Sequence, residues 1–575
     1  MIRLPLSIAL CLLAVSGVAS GADAQTRVHG TFPGRPHPVI AAPASATGPL
    51  PAKTPSATPK SWRAEDYPAQ GQTPAPPPPP PPAPPSRGPK ADVTVPVTGG
   101  VVGGADLDDD TYAFKAIPFA RPPVGDLRWT PPQPPEPWTG VRYATESAPA
   151  CLQVSYGWNA DLAASSSEDC LYLEVRTAVL DPAAKMPVMV FIHGGANRAG
   201  GGAGTISSAL VSRDVVLVSI QYRLGVFGFL SHPGLSDESP DHASGNYALM
   251  DQIAALQWVR DNIARFGGDP DNVTLFGHSA GAQDVGLLMS TPLARGLFHK
   301  AIMESGPPQF GLPPRTLAEN EAMGIELAKG YSRAAPDSAR ALADLRHAPA
   351  ADLQAAADRL KVPVDDASFI WLQAVVDGHV LRRSPYDVFR GLDQAPVPLI
   401  IGVSAQELGL YGGRPAVYAT ARKVFGPNFL RALGVYGLDV KTTAKDDPVL
   451  GDVAMQMSTD LMMRCPSDWT AWHVNAARQG AWLYQLDVDA AGKTVHHGSE
   501  LPFVFNDRPR GRSAAPWPPL LDYWANFAWT GRPNGRGVPD WPAYGREGDY
   551  IEFTREGPVV KNAMRIGVCQ LRDTP

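Results

Sequence analysis

Gly277-His278-Ser279-Ala280-Gly281 sits between a short apolar run over 273–276 and a helical pattern that begins at Ala282. A strand that enters a helix through so few residues must turn sharply. Side chains flanking the turn would strike neighbouring backbone, so glycine is needed on both sides. The same sharpness lifts the serine hydroxyl out of the chain. The pattern G-x-S-x-G alone is weak, expected by chance about 0.2 times in a chain this long. In a strand–turn–helix context it reads as a nucleophile elbow, and it confines the chain to folds that place such turns at the end of a sheet.

The surrounding pattern agrees. Residues 187–192 and 215–220 are unbroken apolar runs, and 301–303 and 397–401 are further buried strands. Residues 247–266 carry Ile253, Leu256, Trp258, Val259 and Ile263 at helical spacing and stop at Gly267-Gly268. Continuous apolar strands alternating with helices imply a mostly parallel central sheet with helices on both faces. An Ala-rich helical stretch over about 312–390 is expected to form a helical cap over one end of the sheet.

The N-terminal 91 residues are of a different kind. Arg3, an apolar run over 4–18 and Ala22-Asp23-Ala24 make a secretory leader expected to be cut after Ala24 (1–24). An uncleaved membrane anchor is the other reading, for which the run is short. Residues 25–91 are rich in Pro, Ala, Ser and Thr and include the unbroken prolines 76–82. They bury too little apolar surface to offset ordering and read as a Pro-rich disordered linker, either a tether or a passive tail. A single domain is expected over 92–575. A net charge of −6 gives no reason to expect nucleic acid or anionic lipid as a partner. Four cysteines follow the leader, Cys151, Cys170, Cys465 and Cys569. An even number in an oxidising compartment points to disulfides, and none falls in a metal-binding pattern.

His193-Gly194-Gly195-Ala196 ends the 187–192 strand. Such a loop turns backbone N–H groups toward a developing oxyanion, and small side chains let a carbonyl approach it. With these motifs in view, the chain resembles the type-B carboxylesterases, relatives of the cholinesterases and para-nitrobenzyl esterases. Further motifs carry the resemblance in the expected order: Ala116-Ile117-Pro118-Phe119-Ala120, Glu168-Asp169-Cys170-Leu171-Tyr172-Leu173, Tyr222-Arg223-Leu224-Gly225, Phe266-Gly267-Gly268-Asp269-Pro270 and Tyr523-Trp524. Together they span about 93–569.

The resemblance implies an α/β-hydrolase fold and a serine carboxylesterase with catalytic Ser279, Glu407 and His497. It implies an oxyanion hole from the N–H groups of Gly195, Ala196 and Ala280, a small-molecule ester as partner, and neither cofactor nor metal. Glu407 follows the strand at Leu399 in Gln406-Glu407-Leu408, where the family usually has Glu-Gly. His497 precedes Glu500 by the family's spacing, although His496 adjoins it. Ser305-Gly306 resembles a family position that supports the acid by a hydrogen bond; an ordinary strand-end turn is the alternative. Cys151 and Cys170 fall where the family places its first bridge. Cys465 and Cys569 then remain, either paired with each other or as two buried thiols. His278 replaces the family's usual Glu, and Asn197 stands where an aromatic ring is common. Both departures argue against choline esters. The triad pattern also admits amide, carbamate or lactone hydrolysis, while retention of all three residues disfavours a purely binding role on this fold. A secreted or periplasmic protein without integral membrane contact is expected.

Overall fold

The computed structural model describes residues 93–572 apart from 310–313, 359, 361–373, 410–412, 439–445, 510–516 and 536. The expected leader (1–24) and linker (25–91) lie outside the described residues, as does part of the expected cap.

Among the described residues, thirteen strands form one sheet. In chain order they are β1 (Val93–Val97), β2 (Gly100–Leu107), β3 (Thr111–Pro118), β4 (Val141–Tyr143), β5 (Tyr172–Thr177), β6 (Met186–Ile192), β7 (Val216–Ile220), β8 (Gly268–His278), β9 (Lys300–Glu304), β10 (Leu399–Ser404), β11 (Ala481–Leu486), β12 (Tyr550–Thr554) and β13 (Gly557–Lys561). Across the sheet the order is β1-β2-β3-β5-β7-β6-β8-β9-β10-β11-β12-β13, with β4 beside β2. Every pair from β7 to β12 is parallel. Antiparallel strands close both edges.

The strands expected from apolar runs are central parallel ones, because a strand covered on both faces is apolar at nearly every position. All seven residues of β6 are buried. Its Val188, Val190 and Ile192 face one core with the helices Tyr247–Asn262 and Ala280–Ser290. Its Met189 and Phe191 face the other, with Tyr523, Trp524 and Phe527 of the helix Leu520–Thr530. Each fully buried Val, Leu, Ile or Phe contributes about 1.5–3 kcal/mol, so this two-faced burial dominates the stability of the domain.

Two features were not legible in the sequence. β8 begins at Gly268, well before its apolar stretch, because Gly268 pairs with Met186 across a register shift. The Ala-rich region does contain the helices Leu317–Lys329, Ala339–Arg346, Ala350–Asp358 and Pro385–Arg390, and Asn320 of the first donates to the Phe229 carbonyl and the Ser231 hydroxyl. A second helical group, Gly413–Phe425, Phe429–Val435 and Val453–Thr459, continues through a π-helical turn, Asp460–Arg464, into the helix Cys465–Ala476. It shares an apolar cluster with Ala196, Ala280, Val403 and Leu408. None of the helices among the described residues is long and apolar enough to cross a membrane. Disulfides join Cys151 to Cys170 and Cys465 to Cys569.

Candidate active site

Ile192 at the end of β6 lies in register with Gly277 near the end of β8. β7 flanks β6 on one side and β8 on the other, so the direction of strand addition reverses here. Beyond the carboxyl ends of such neighbouring strands an open α/β sheet forms its ligand crevice. The elbow and the glycine loop therefore meet because of strand order.

Ser279 joins β8 to the helix Ala280–Ser290 at φ 58° and ψ −125°. A side-chain-bearing residue held in such a region costs on the order of 1–3 kcal/mol. The turn is held by the Ser279 N–H donating to the Glu304 carbonyl at 2.8 Å and by its own carbonyl accepting from the Gln283 N–H at 3.0 Å. A Cβ on Gly281 would stand 2.1 Å from the Ile192 carbonyl oxygen, and one on Gly277 would stand 2.6 Å from Gly281 backbone. Glycine is required at both places by contact with nearby backbone.

His497 Nε2 lies 2.7 Å from Ser279 Oγ, and its Nδ1 lies 2.5 Å from Glu407 Oε2. The other carboxylate oxygen of Glu407 accepts from the Ser404 N–H at 2.7 Å, and the Glu407 N–H donates to Thr459 at 3.2 Å. Leu408, the departure from glycine, packs against the helical cluster around Met457. His496 points elsewhere: its side chain is 65% exposed and lies 3.7 Å from Asp489.

Buried acids surround the histidine. Glu500 accepts from the Ser305 hydroxyl at 2.5 Å and the Ser404 hydroxyl at 3.2 Å. Ser305 thus supports Glu500, not Glu407 directly. Glu304 accepts from the Trp524 indole N–H at 2.6 Å. Burial, then the charge of Glu407, raises the Glu500 carboxyl, against the Ser305 hydrogen bond. Burial, then Glu500, raises Glu304 well above the usual carboxylate range. His497 feels opposed effects. Burial lowers its pKa, but the charge and hydrogen bond of Glu407, together with Glu500, leave it above the ordinary histidine value. The ring of His278 lies beside it, tilted by 42°, with centroids 4.6 Å apart. Its Nε2 is 3.9 Å from Glu500, and burial followed by repulsion from His497 lowers its pKa well below the ordinary value. Both effects favour the neutral form of His278.

Gly195, Ala196 and Asn197 take positive φ in succession, at 115°, 58° and 55°. The Gly195 carbonyl accepts from the N–H groups of Arg198 and Ala199, which closes the loop. Ala280 is the first residue of its helix, where backbone N–H groups have no intrahelical acceptor. The structure thus gathers Ser279, His497 and Glu407 into one hydrogen-bonded line and brings the loop of Gly195 and Ala196 and the helix start at Ala280 to the ends of adjacent strands. Sequence reasoning missed Glu304, Ser404 and, beneath the loop, Asp284. The signal for Asp284 was a carboxylate, next to Gln283, within the largely apolar helix after the elbow.

This sheet, with its elbow at the switch point, defines an α/β-hydrolase. The Carboxylesterase family model matches residues 91–418 and 430–571. The chain is 36% identical over 419 residues to a fumonisin B1 esterase of Sphingopyxis macrogoltabida, covering 71% of this chain and 73% of that protein. It is 33% identical over 516 residues to a cocaine esterase of Homo sapiens, covering 82% and 88% respectively. Among solved structures, a PNB esterase superposes with a TM-score of 0.69 at 29% identity, covering 83% of this chain and 99% of that one. A carboxylesterase of Geobacillus stearothermophilus gives 0.67 at 32% identity, with the same coverage. The chain belongs to the carboxylesterase family and is a serine carboxylic-ester hydrolase.

Proposed function

We propose that Ser279 is the nucleophile, His497 the general base and Glu407 the acid that orients it, in an acyl-enzyme mechanism acting on neutral small-molecule esters. The observation that carries this reading is the pair of contacts at His497, 2.7 Å to Ser279 Oγ and 2.5 Å to Glu407. Neutral His497, with its Nδ1 proton held by Glu407, accepts the serine proton at Nε2 as Oγ attacks the ester carbonyl. Glu407 stabilises the imidazolium without taking its proton. The N–H groups of Gly195, Ala196 and Ala280 receive the oxyanion, and one such donor is worth about 3–4 kcal/mol of barrier. The imidazolium protonates the departing alkoxide. Water then attacks the acyl-enzyme, with His497 again as base, and frees the acid.

The neutral ring of His278 beside the serine supports an uncharged substrate over a quaternary ammonium. The leader pattern over 1–24 and the two disulfides support a secreted or periplasmic location. In this reading the linker 25–91 carries a hydrolase domain over 92–575.

Ser279→Ala should abolish hydrolysis of p-nitrophenyl butyrate and labelling by an organophosphate. Undiminished turnover by that variant would refute the assignment.

A further inference from the structure

Beneath the glycine loop lies a set of buried polar side chains with no part in the proton transfers above. Asn197 Nδ2 donates to Asp284 Oδ1 at 3.0 Å, and Gln252 Nε2 donates to Asp284 Oδ2 at 2.7 Å. The Tyr222 hydroxyl donates to the His193 carbonyl at 2.7 Å, with Asn197 Oδ1 3.2 Å away. The Asn197 carbonyl accepts from the Gly225 N–H at 2.7 Å. Asn197, Asp284, Gln252 and Tyr222 are all at most 1% exposed. The network therefore grips the loop at His193 and at Asn197, on either side of Gly195 and Ala196. Its carboxylate stands on the helix Ala280–Ser290, one turn beyond Ala280.

We infer that Asp284 is a positioning residue for the oxyanion loop, holding the amides of Gly195 and Ala196 in place against the amide of Ala280 through Asn197. This rests on the catalytic reading of Ser279 given above. The three amides come from two separate elements, a loop after β6 and a helix after β8. Oxyanion stabilisation needs them to converge on one point before the reaction begins. Ala196 and Ala280 have only methyl groups for side chains, so neither can tie the two elements together by hydrogen bonds. Asn197 can. It also tolerates the left-handed backbone at φ 55° better than a bulky residue would.

Stability gives no reason for an acid here. The hydrogen bonds to Asp284 come from neutral amides, and burial, opposed by Gln252 and Asn197, pushes its carboxyl up to about 7. An apolar side chain would avoid that desolvation cost. What the carboxylate offers is two acceptors, which hold two amide side chains in fixed orientation.

The test compares Asp284→Ala, Asp284→Asn, Asn197→Ala and the double variant Asn197→Ala/Asp284→Ala with wild type. Thermal melting establishes the folded fraction, and kcat and KM are measured for p-nitrophenyl butyrate. Asp284→Ala and Asn197→Ala should each lower kcat about 10- to 100-fold with KM within about twofold, and the double variant should be no worse than the poorer single one. Asp284→Asn should keep kcat within a few-fold of wild type. Its amide oxygen still accepts from Asn197, and Gln252, whose Oε1 has no hydrogen-bond partner among the described residues, can rotate that oxygen toward the new N–H. Should Asp284→Ala fail to fold, Asn197→Ala carries the same prediction. A lowered melting temperature with unchanged kcat in the folded protein would overturn the proposal, as would additive losses in the double variant. Ser279→Ala separates the two readings. Activity in that variant would refute the nucleophile, whereas an inactive Ser279→Ala beside a fully active Asn197→Ala would sink the positioning role alone.

Discussion

The choice between His496 and His497 turns on a single peptide unit. His497 reaches both Ser279 and Glu407, while His496 faces solvent. His497→Gln should lower kcat/KM by about 10³-fold or more, and His496→Gln should stay within about twofold. The opposite ranking would show that the register is wrong. The raised pKa of His497 sets the direction of the pH profile. The base must be neutral to act, so kcat/KM should fall as pH drops through a value above the usual histidine range, and an acid limb below that range would contradict the electrostatics. His278 belongs to the same scale. A neutral imidazole lacks the charge with which a carboxylate attracts a cation, so butyrylcholine should be no better a substrate than a neutral butyrate ester of similar size. A strong preference for the cation in kcat/KM would remove the argument from His278.

At the scale of elements, the site is a meeting of four segments: the loop after β6, the elbow after β8, the segment after β10 with Glu407 and the segment after β11 with His497. Their approach is close enough that backbone, not side chain, sets the fit. Gly281→Ala tests this, since the added methyl would meet the Ile192 carbonyl. Overpacking of this kind costs about 1–3 kcal/mol, and kcat should fall with it because β6 also carries the glycine loop. A variant with wild-type melting temperature and kcat would show that the two strands can separate freely. The segment after β10 is braced from the helical group. Arg464, within the π-helical turn, pairs with Asp460 and donates to the Ala405 carbonyl at 2.8 Å and to Gln485 at 2.9 Å. A local widening of the helix that re-aims side chains is a recurrent device near functional sites, and here it points a buried guanidinium at the strand end that leads to Glu407.

At the scale of the whole molecule, two cores on opposite faces of one sheet carry the stability, and a covalent link ties the C-terminal segment to the helical group. The cysteines Cys465 and Cys569 are 104 residues apart. Closing so long a loop restricts the unfolded chain by about 4–5 kcal/mol in the chain-entropy view, against about 3 kcal/mol for the shorter loop between Cys151 and Cys170. The double variant Cys465→Ser/Cys569→Ser should therefore lower the melting temperature and denaturant midpoint. Peptide mapping of the unreduced domain should give the two bridged peptides and no free thiol among these four cysteines. A peptide linking Cys151 to Cys465 or Cys569 would overturn this pairing.

What the sequence determined by itself is local. The elbow was legible because a tight strand–turn–helix needs glycine beside Ser279, and the parallel strands β6 to β10 were legible because burial on both faces leaves few polar positions. The antiparallel edge strands escaped notice because partly exposed faces dilute the apolar pattern, and β11, β12 and the second helical group because buried polar residues such as Gln485, Glu552, Asp460 and Arg464 interrupt it. The contacts that make the site were beyond any local pattern. Ser279 and His497 are 218 residues apart, Glu407 and His497 are 90 apart, and Asn197 and Asp284 are 87 apart. For the first two pairs, the resemblance to carboxylesterases named the partners from sequence. For Asn197 and Asp284 nothing did, since neither residue shows in sequence which neighbour its polar atoms will find. That was decided by the order of strands in the sheet, which sets the ends of β6 and β8 side by side and leaves one buried carboxylate between a loop and a helix with only amide side chains to bind.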